Sequence, residues 1–219
     1  MTSTMLIEPE ELKSRLGDHK LIVLDASWYL PNMNRDARAE YEQAHIPGAV
    51  FYDIDLHSDP DSDLPHMLPS PTAFAKSAGN LGISSEHKIV VYDGAGLFSA
   101  ARVWWAFRLM GAEDVRILNG GLPAWNEAGY RLEVGDVSRD PTTFNARFNQ
   151  GAVRSIQDVV GAIETADAQI VDARAAARFR GEAPEPRAGL RSGHMPGAFN
   201  IPVDTLLSGG RLKPVEELK

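Results

Sequence analysis

The 219-residue chain contains no cysteine, so a disulfide framework is excluded and nothing in the composition points to secretion. It also has no positive excess: 22 Lys and Arg against 30 Asp and Glu give a net charge of −8, which argues against a nucleic-acid-binding surface. Long apolar runs are missing too. The richest, around Val103 to Phe107, is far shorter than the roughly 20 residues that span a bilayer. The first ten residues lack a basic region followed by an apolar core, so no signal peptide is visible. Together these absences lead us to expect a cytoplasmic protein with no membrane or nucleic-acid partner. At 43% hydrophobic and 24% charged residues, the remainder is that of an ordinary globular protein.

What is present is organised by a repeat. His45-Ile46-Pro47-Gly48-Ala49 returns as His194-Met195-Pro196-Gly197-Ala198, each followed by a short strand signal. Each is preceded by an apolar run ending in Asp-Ala, Leu21 to Ala26 and then Gln169 to Ala173. Two landmarks in the same order, roughly 150 residues apart, indicate a duplicated domain and not a solenoid, whose periods are shorter.

The rest alternates between strand and helix signals. Pro9 suits a first helical position, and that helix should stop at Gly17. Leu21 to Ala26 and Lys88 to Tyr92 read as buried parallel strands, because they are continuous apolar runs. Arg35 to Gln43 reads as an exposed helix, Asp59 to Pro71 as loop, and Ser70-Pro71 as the start of a helix through Gly79. Ala100 to Met110 is apolar nearly all round and should be deeply buried. Val115 to Leu118 is another strand, turned by Asn119-Gly120-Gly121 into a short helix. Short connections between alternating elements predict an α/β fold with a parallel sheet flanked by helices. We expect a first domain over 1–134, a polar interdomain linker over 135–154, and a second domain over 155–219 whose helix starts at Ser155 with Asp158. Adding the His45-to-Asp93 interval to His194 lands beyond Lys219, so this second copy is expected to be incomplete.

These motifs resemble the two-domain rhodanese-like sulfurtransferases, and most closely their 3-mercaptopyruvate branch. The resemblance rests on the repeated H-[IM]-P-G-A, His66-Met67-Leu68-Pro69, Val91-Tyr92-Asp93-Gly94, Arg102-Val103-Trp104-Trp105, Gly120-Gly121-Leu122 and Glu185-Pro186-Arg187-Ala188-Gly189-Leu190. It implies tandem rhodanese-like domains, the second incomplete. It further implies sulfur transfer from 3-mercaptopyruvate to a thiol or cyanide acceptor through a cysteine persulfide, with no cofactor and no metal. Alternatives are a thiosulfate sulfurtransferase or a non-catalytic rhodanese-like binding module. The cysteine-free chain alone is expected to be inactive, with a Cys-Gly-Ser-Gly-like loop expected beyond Lys219.

Four residues carry the expected site, and a fifth marks its silent counterpart. Asp93 ends a strand and precedes a helix, where inward-facing N–H groups favour an anion. By resemblance it matches the cysteine position, and a carboxylate cannot form a persulfide, so the first domain should be inert. A competing aspartyl-phosphate reading lacks a nearby second acid in D-x-D spacing. Asp55 and His66 match an Asp and a His that, with a serine beside the second-domain cysteine, form a proposed triad at the seam of the two halves. A loop histidine can equally be a solvated side chain. Arg178 and Arg187 look like the family's clamp for a substrate carboxylate, which a planar guanidinium binds bidentately. They could instead be surface charges pairing with Glu182 and Glu185. His45 and His194 have no metal-ligand cluster beside them and are expected to fix their turns by hydrogen bonds. Trp104, Trp105 and Trp125 are expected in core and interdomain packing.

Overall fold

A computed structural model describes residues 5–186 and 189–218. The chain forms two compact units, one ending at Gln150 and the next beginning at Gly151.

The first unit is built on a five-stranded, all-parallel sheet in the order β1-β5-β4-β2-β3, from strands β1 (Leu6–Ile7), β2 (Leu21–Asp25), β3 (Val50–Phe51), β4 (Lys88–Tyr92) and β5 (Val115–Leu118). β2 and β4 form its centre, with Leu21 opposite Lys88 and Asp25 opposite Tyr92. Because strand side chains alternate, the two central strands feed two separate cores. Ile22, Leu24, Ile89 and Val91 pack under α3 (Pro71–Asn80) and α4 (Ala100–Leu109). Leu21, Val23, Val90 and Tyr92 pack on the other face, with Leu12 of α1 (Pro9–Arg15) and Trp125 of α5 (Gly121–Glu127). The apolar runs are continuous in sequence because both faces are covered.

Helix boundaries follow local chemistry. Pro9 and Pro71 occupy first-turn positions, and the Ser70 side chain accepts from Ala73 N. α2 (Ala37–Gln43) is capped by Asp36, whose side chain accepts from Ala39 N. α4 is less buried than its apolar sequence suggests. Val103, Ala106 and Phe107 enter the core, whereas Trp104 and Trp105 are half-buried and Arg108 is exposed. Trp125, by contrast, is fully buried.

The polar stretch expected as a linker from 135 to 154 instead belongs to the first unit for most of its length. Thr142 N donates to Gly79 O at 2.9 Å, Arg147 N to Met110 O at 2.8 Å and Asn149 N to Leu109 O at 2.9 Å. Phe144 is only 3% exposed and meets Phe74 and Phe107 edge-on. Backbone hydrogen bonds and one buried aromatic ring together hold a largely polar strap.

In the second unit, α6 (Ile156–Thr165) begins with a reciprocal capping box between Ser155 and Asp158. β6 (Val171–Asp172) pairs in parallel with β7 (Phe199–Asn200), and α7 (Ala176–Phe179) lies between them in sequence. A two-residue ladder, Leu207–Ser208 with Arg211–Leu212, follows.

Candidate active site

The candidate residues of the first unit gather beyond the C-terminal ends of β2, β3 and β4. β3 lies on one side of β2 and β4 on the other, so the chain reverses its progress across the sheet at the β2–β4 pair. Crevices of open α/β sheets form at such points.

Asp93 leaves the end of β4 and is completely buried. Its Oδ1 accepts from Ala95 N, and its Oδ2 accepts from Phe98, Ser99 and Ala100 N, all at 2.9 Å. The carboxylate therefore fills an anion cradle made by the loop and the first turn of α4. Ser99 links this loop to β2: its hydroxyl donates to Ala26 O at 2.7 Å and accepts from Trp28 N at 3.2 Å.

Asp55 and His66 meet, although they lie eleven positions apart in sequence. His66 Nε2 lies 2.6 Å from Asp55 Oδ1. The other carboxylate oxygen accepts from Trp28 Nε1 at 3.0 Å. The Trp28 ring stands edge-on to the imidazole, with centroids 4.7 Å apart and planes at 83°. Asp53 holds the approach, its Oδ1 accepting from Asp55 N at 3.0 Å and Leu56 N at 3.1 Å. His66 has φ +59°, a left-handed conformation uncommon outside glycine. Its carbonyl is taken by Arg102 Nη2, and the Arg102 guanidinium lies over the Trp105 ring at 4.7 Å. Burial pulls the Arg102 pKa below its ordinary value. The His66 side chain is 20% exposed and that of Asp55 64%, so the pair is open to a reacting group.

Arg178 sits in a ladder of alternating charge. Asp172 binds Arg174, Arg174 Nη1 donates to Glu185 Oε1 at 2.8 Å, and Arg178 Nε donates to Glu185 Oε2 at 3.1 Å. Arg178 Nη2 reaches that same oxygen. The hydrogen bonds from Arg178 hold Glu185 below the usual carboxylate range, with Arg174 adding to the effect. Of the two acids the sequence offered, Glu185 is the partner of Arg178, while Glu182 pairs with Arg180. Arg178 Nη1 makes no hydrogen bond among the described residues. Arg187, the other expected clamp residue, lies outside the described residues.

The two His-Pro turns use the same bonds. His45 Nδ1 is 2.8 Å from Tyr41 O and its ring stacks on Tyr41, while His194 Nδ1 is 2.8 Å from Phe179 O and stacks on Phe179. Carbonyl oxygens only accept, so each Nδ1 donates. Both histidines thus fix their turns by hydrogen bonds.

Trp28 was not singled out from the sequence, and Arg102 was named only as part of a motif, with no site role. Trp28 carried one usable signal: it lies just past the C-terminal end of β2, beside the crevice.

A rhodanese-like domain family model matches residues 8–128. Rat 3-mercaptopyruvate sulfurtransferase is 46% identical over 213 residues, covering 96% of this chain and 72% of that protein. The chain belongs to the 3-mercaptopyruvate sulfurtransferase branch of the rhodanese-like family. The crystal structure of the 3-mercaptopyruvate sulfurtransferase SseA from Escherichia coli matches with a TM-score of 0.90 at 42% identity, over 99% of this chain and 81% of that one. A mitochondrial thiosulfate/3-mercaptopyruvate sulfurtransferase of Arabidopsis thaliana is 43% identical, covering all of this chain and 63% of that protein. Among the described residues, no helix is long and apolar enough to cross a membrane.

Proposed function

We propose that these 219 residues carry the acid–base pair and the donor-binding arginines of a sulfurtransferase. That enzyme takes sulfane sulfur from 3-mercaptopyruvate and passes it to a thiol or cyanide. The observation that carries this reading is the exposed Asp55–His66 pair, closed at 2.6 Å at the functional edge of the sheet. A carboxylate that orients an imidazole makes it a competent proton acceptor and donor.

The transfer needs a cysteine thiolate, and the sequence contains none. In this reading the thiolate belongs to a part of the protein outside these residues. It attacks the sulfur of 3-mercaptopyruvate, the carbon–sulfur bond breaks, and the electron pair leaves on carbon as the enolate of pyruvate, which takes a proton. Cyanide then removes the outer sulfur as thiocyanate and regenerates the thiolate. Arg178 and Arg187 would bind the donor carboxylate. Glu185 occupies the Nε side of Arg178, so the edge at Nη1 is the one left for substrate. Asp93 fills its own cradle with a carboxylate, a group that cannot form a persulfide, which supports a catalytically silent first unit. The shared bonds of the His45 and His194 turns, and the parallel pairing of β6 with β7 as of β2 with β3, support reading the second unit as a repeat of the first.

Two other readings have observations in their favour. Absence of cysteine favours a binding module for this chain by itself. The name of the Arabidopsis relative favours thiosulfate as a second donor.

Thiocyanate formation tests all three. The full gene product should give thiocyanate from 3-mercaptopyruvate and cyanide, and His66→Ala should lower kcat about a hundredfold. The 219-residue chain alone should give none. Turnover by the chain alone would overturn the need for an outside cysteine. Failure of the full product would leave the binding module, and a higher kcat/KM with thiosulfate would reassign the donor.

A further inference from the structure

The way Asp55 and His66 are held says more than that they touch. Asp55 is mostly exposed, and an exposed carboxylate on a loop ordinarily samples several rotamers. Its backbone is pinned by the Asp53 turn, but a pinned backbone does not fix the plane of the carboxylate. Two donors do. Trp28 Nε1 takes Oδ2 at 3.0 Å and His66 Nε2 takes Oδ1 at 2.6 Å, so each oxygen has one partner and the group cannot rotate without losing one.

Trp28 is itself tied down. Its backbone nitrogen donates to Ser99 Oγ, which bonds Ala26 O in turn, so the backbone that carries the indole is fixed to the junction of β2 and α4. Its ring also stands edge-on to the imidazole and limits the tilt of His66. From the other side, Arg102 holds the His66 carbonyl. Side chain and backbone of His66 are thus gripped independently.

We infer that Trp28 is a positioning residue for the Asp55–His66 pair, and that the proton-exchanging nitrogen of His66 is Nδ1. An ionised carboxylate only accepts hydrogen bonds, so the nitrogen facing Asp55, Nε2, carries the hydrogen. In the neutral ring that leaves the lone pair on Nδ1, which makes no hydrogen bond among the described residues. A reacting O–H or S–H group must therefore approach from the Nδ1 side. Its proton passes to Nδ1, giving an imidazolium whose Nε2–H stays on Asp55. This use of the pair rests on the acid–base role proposed above; the tautomer and its support by Trp28 do not.

NMR of the 219-residue chain with 15N-labelled histidine reads the tautomer directly and needs no turnover, so it stands apart from the sulfur-transfer assay. In the neutral form of the ring the His66 signals should show hydrogen on Nε2 and a bare Nδ1, with the Nε2 proton exchanging slowly. Trp28→Phe keeps an aromatic edge but removes the indole N–H. It should speed exchange of that proton about tenfold or more, the effect of losing one hydrogen bond to a charged group. Asp55→Asn supplies the second arm. An amide has one acceptor oxygen, already sought by Trp28, and a donating NH2 that faces Nε2, so hydrogen should move to Nδ1. Hydrogen on Nδ1 in the unaltered chain overturns the assignment, as does an Asp55→Asn chain that stays protonated at Nε2. An unchanged exchange rate in a folded Trp28→Phe chain overturns the role of Trp28. If that variant fails to fold, the Asp55→Asn arm still decides the tautomer, and indole N–H exchange at Trp28, which should also quicken on Asp55→Ala, decides the contact.

Discussion

Asp93 Oδ2 and the Ser99 backbone nitrogen lie 2.9 Å apart, one of four such contacts that hold a buried carboxylate against the start of α4. The loop from 93 to 99 is shaped around those two oxygens. It would otherwise bring several N–H groups together with nothing to accept them.

Replacing Asp93 with Ala should therefore cost about 3 kcal/mol or more, because several buried donors lose their acceptor at once. Asp93→Asn should recover only part of the loss, since its NH2 group faces donors. Urea unfolding of both variants checks this. An Ala variant within about 0.5 kcal/mol of the parent chain, the range of a neutral surface substitution, would show that the cradle is not under load.

The two His-Pro turns allow the same substitution to be compared in two surroundings. His45 is fully buried, whereas His194 is exposed. His45→Ala removes a buried hydrogen bond and a stacked ring, and should cost about 2 kcal/mol or more. His194→Ala breaks matching contacts in water and should cost less than about 1 kcal/mol. Equal losses in thermal unfolding would mean that burial does not set the energetics of these turns.

Gly79 lies where the strap crosses α3. A Cβ there would sit 2.5 Å from Thr142 O, so Gly79→Ala forces that backbone outward. The variant should lose about 1–3 kcal/mol, as overpacking does. Amides from Thr142 to Asn149 should exchange faster while those of β2 and β4 stay protected. Uniform exchange would argue that the strap is not a separable layer.

His57 gives a pH dependence of known sign. It is half-buried against Tyr52, ring centroids 4.6 Å apart, and burial lowers its pKa, with Asp53 opposing. The unfolded chain, titrating at about 6.5, then takes up the proton more readily than the folded one. The stability contributed by neutral His57 is fully present above that value and is lost progressively as pH falls from it through the lower folded value. His57→Phe should therefore lessen the drop in Tm between neutral and mildly acidic pH. A variant with an unchanged pH profile would exclude this histidine as the cause.

For the donor, Arg187→Ala in the full gene product should raise KM for 3-mercaptopyruvate more than KM for thiosulfate, because only the former presents a carboxylate to the fork. Parallel losses for both donors would count against the clamp.

Much of the first unit could be read from the chain alone. The runs Leu21 to Asp25 and Lys88 to Tyr92 are apolar on both faces because both faces are covered, so they announce central parallel strands. Helix starts at Pro9, Pro71 and Ser155 are local chemistry and need no neighbours. The repeated turn of His45 to Ala49 and His194 to Ala198, and the place of Asp93 at the end of a strand, were likewise visible, since turn residues and strand ends mark themselves. What the sequence could not decide depends on register across distance. Nothing local shows that the polar run around Phe144 folds back on α3 and α4, because one ring in a polar stretch carries no periodicity. Nothing local joins Trp28 to Asp55, Arg102 to His66, or Arg178 to Glu185 in preference to Glu182. Those pairings arise only once the order of strands has brought the loops beyond β2, β3 and β4 to one edge, and the turns after β6 have closed on themselves. Propensity and pattern act over a few residues; the partners of a charged or polar side chain are chosen by the packing of the elements that carry it.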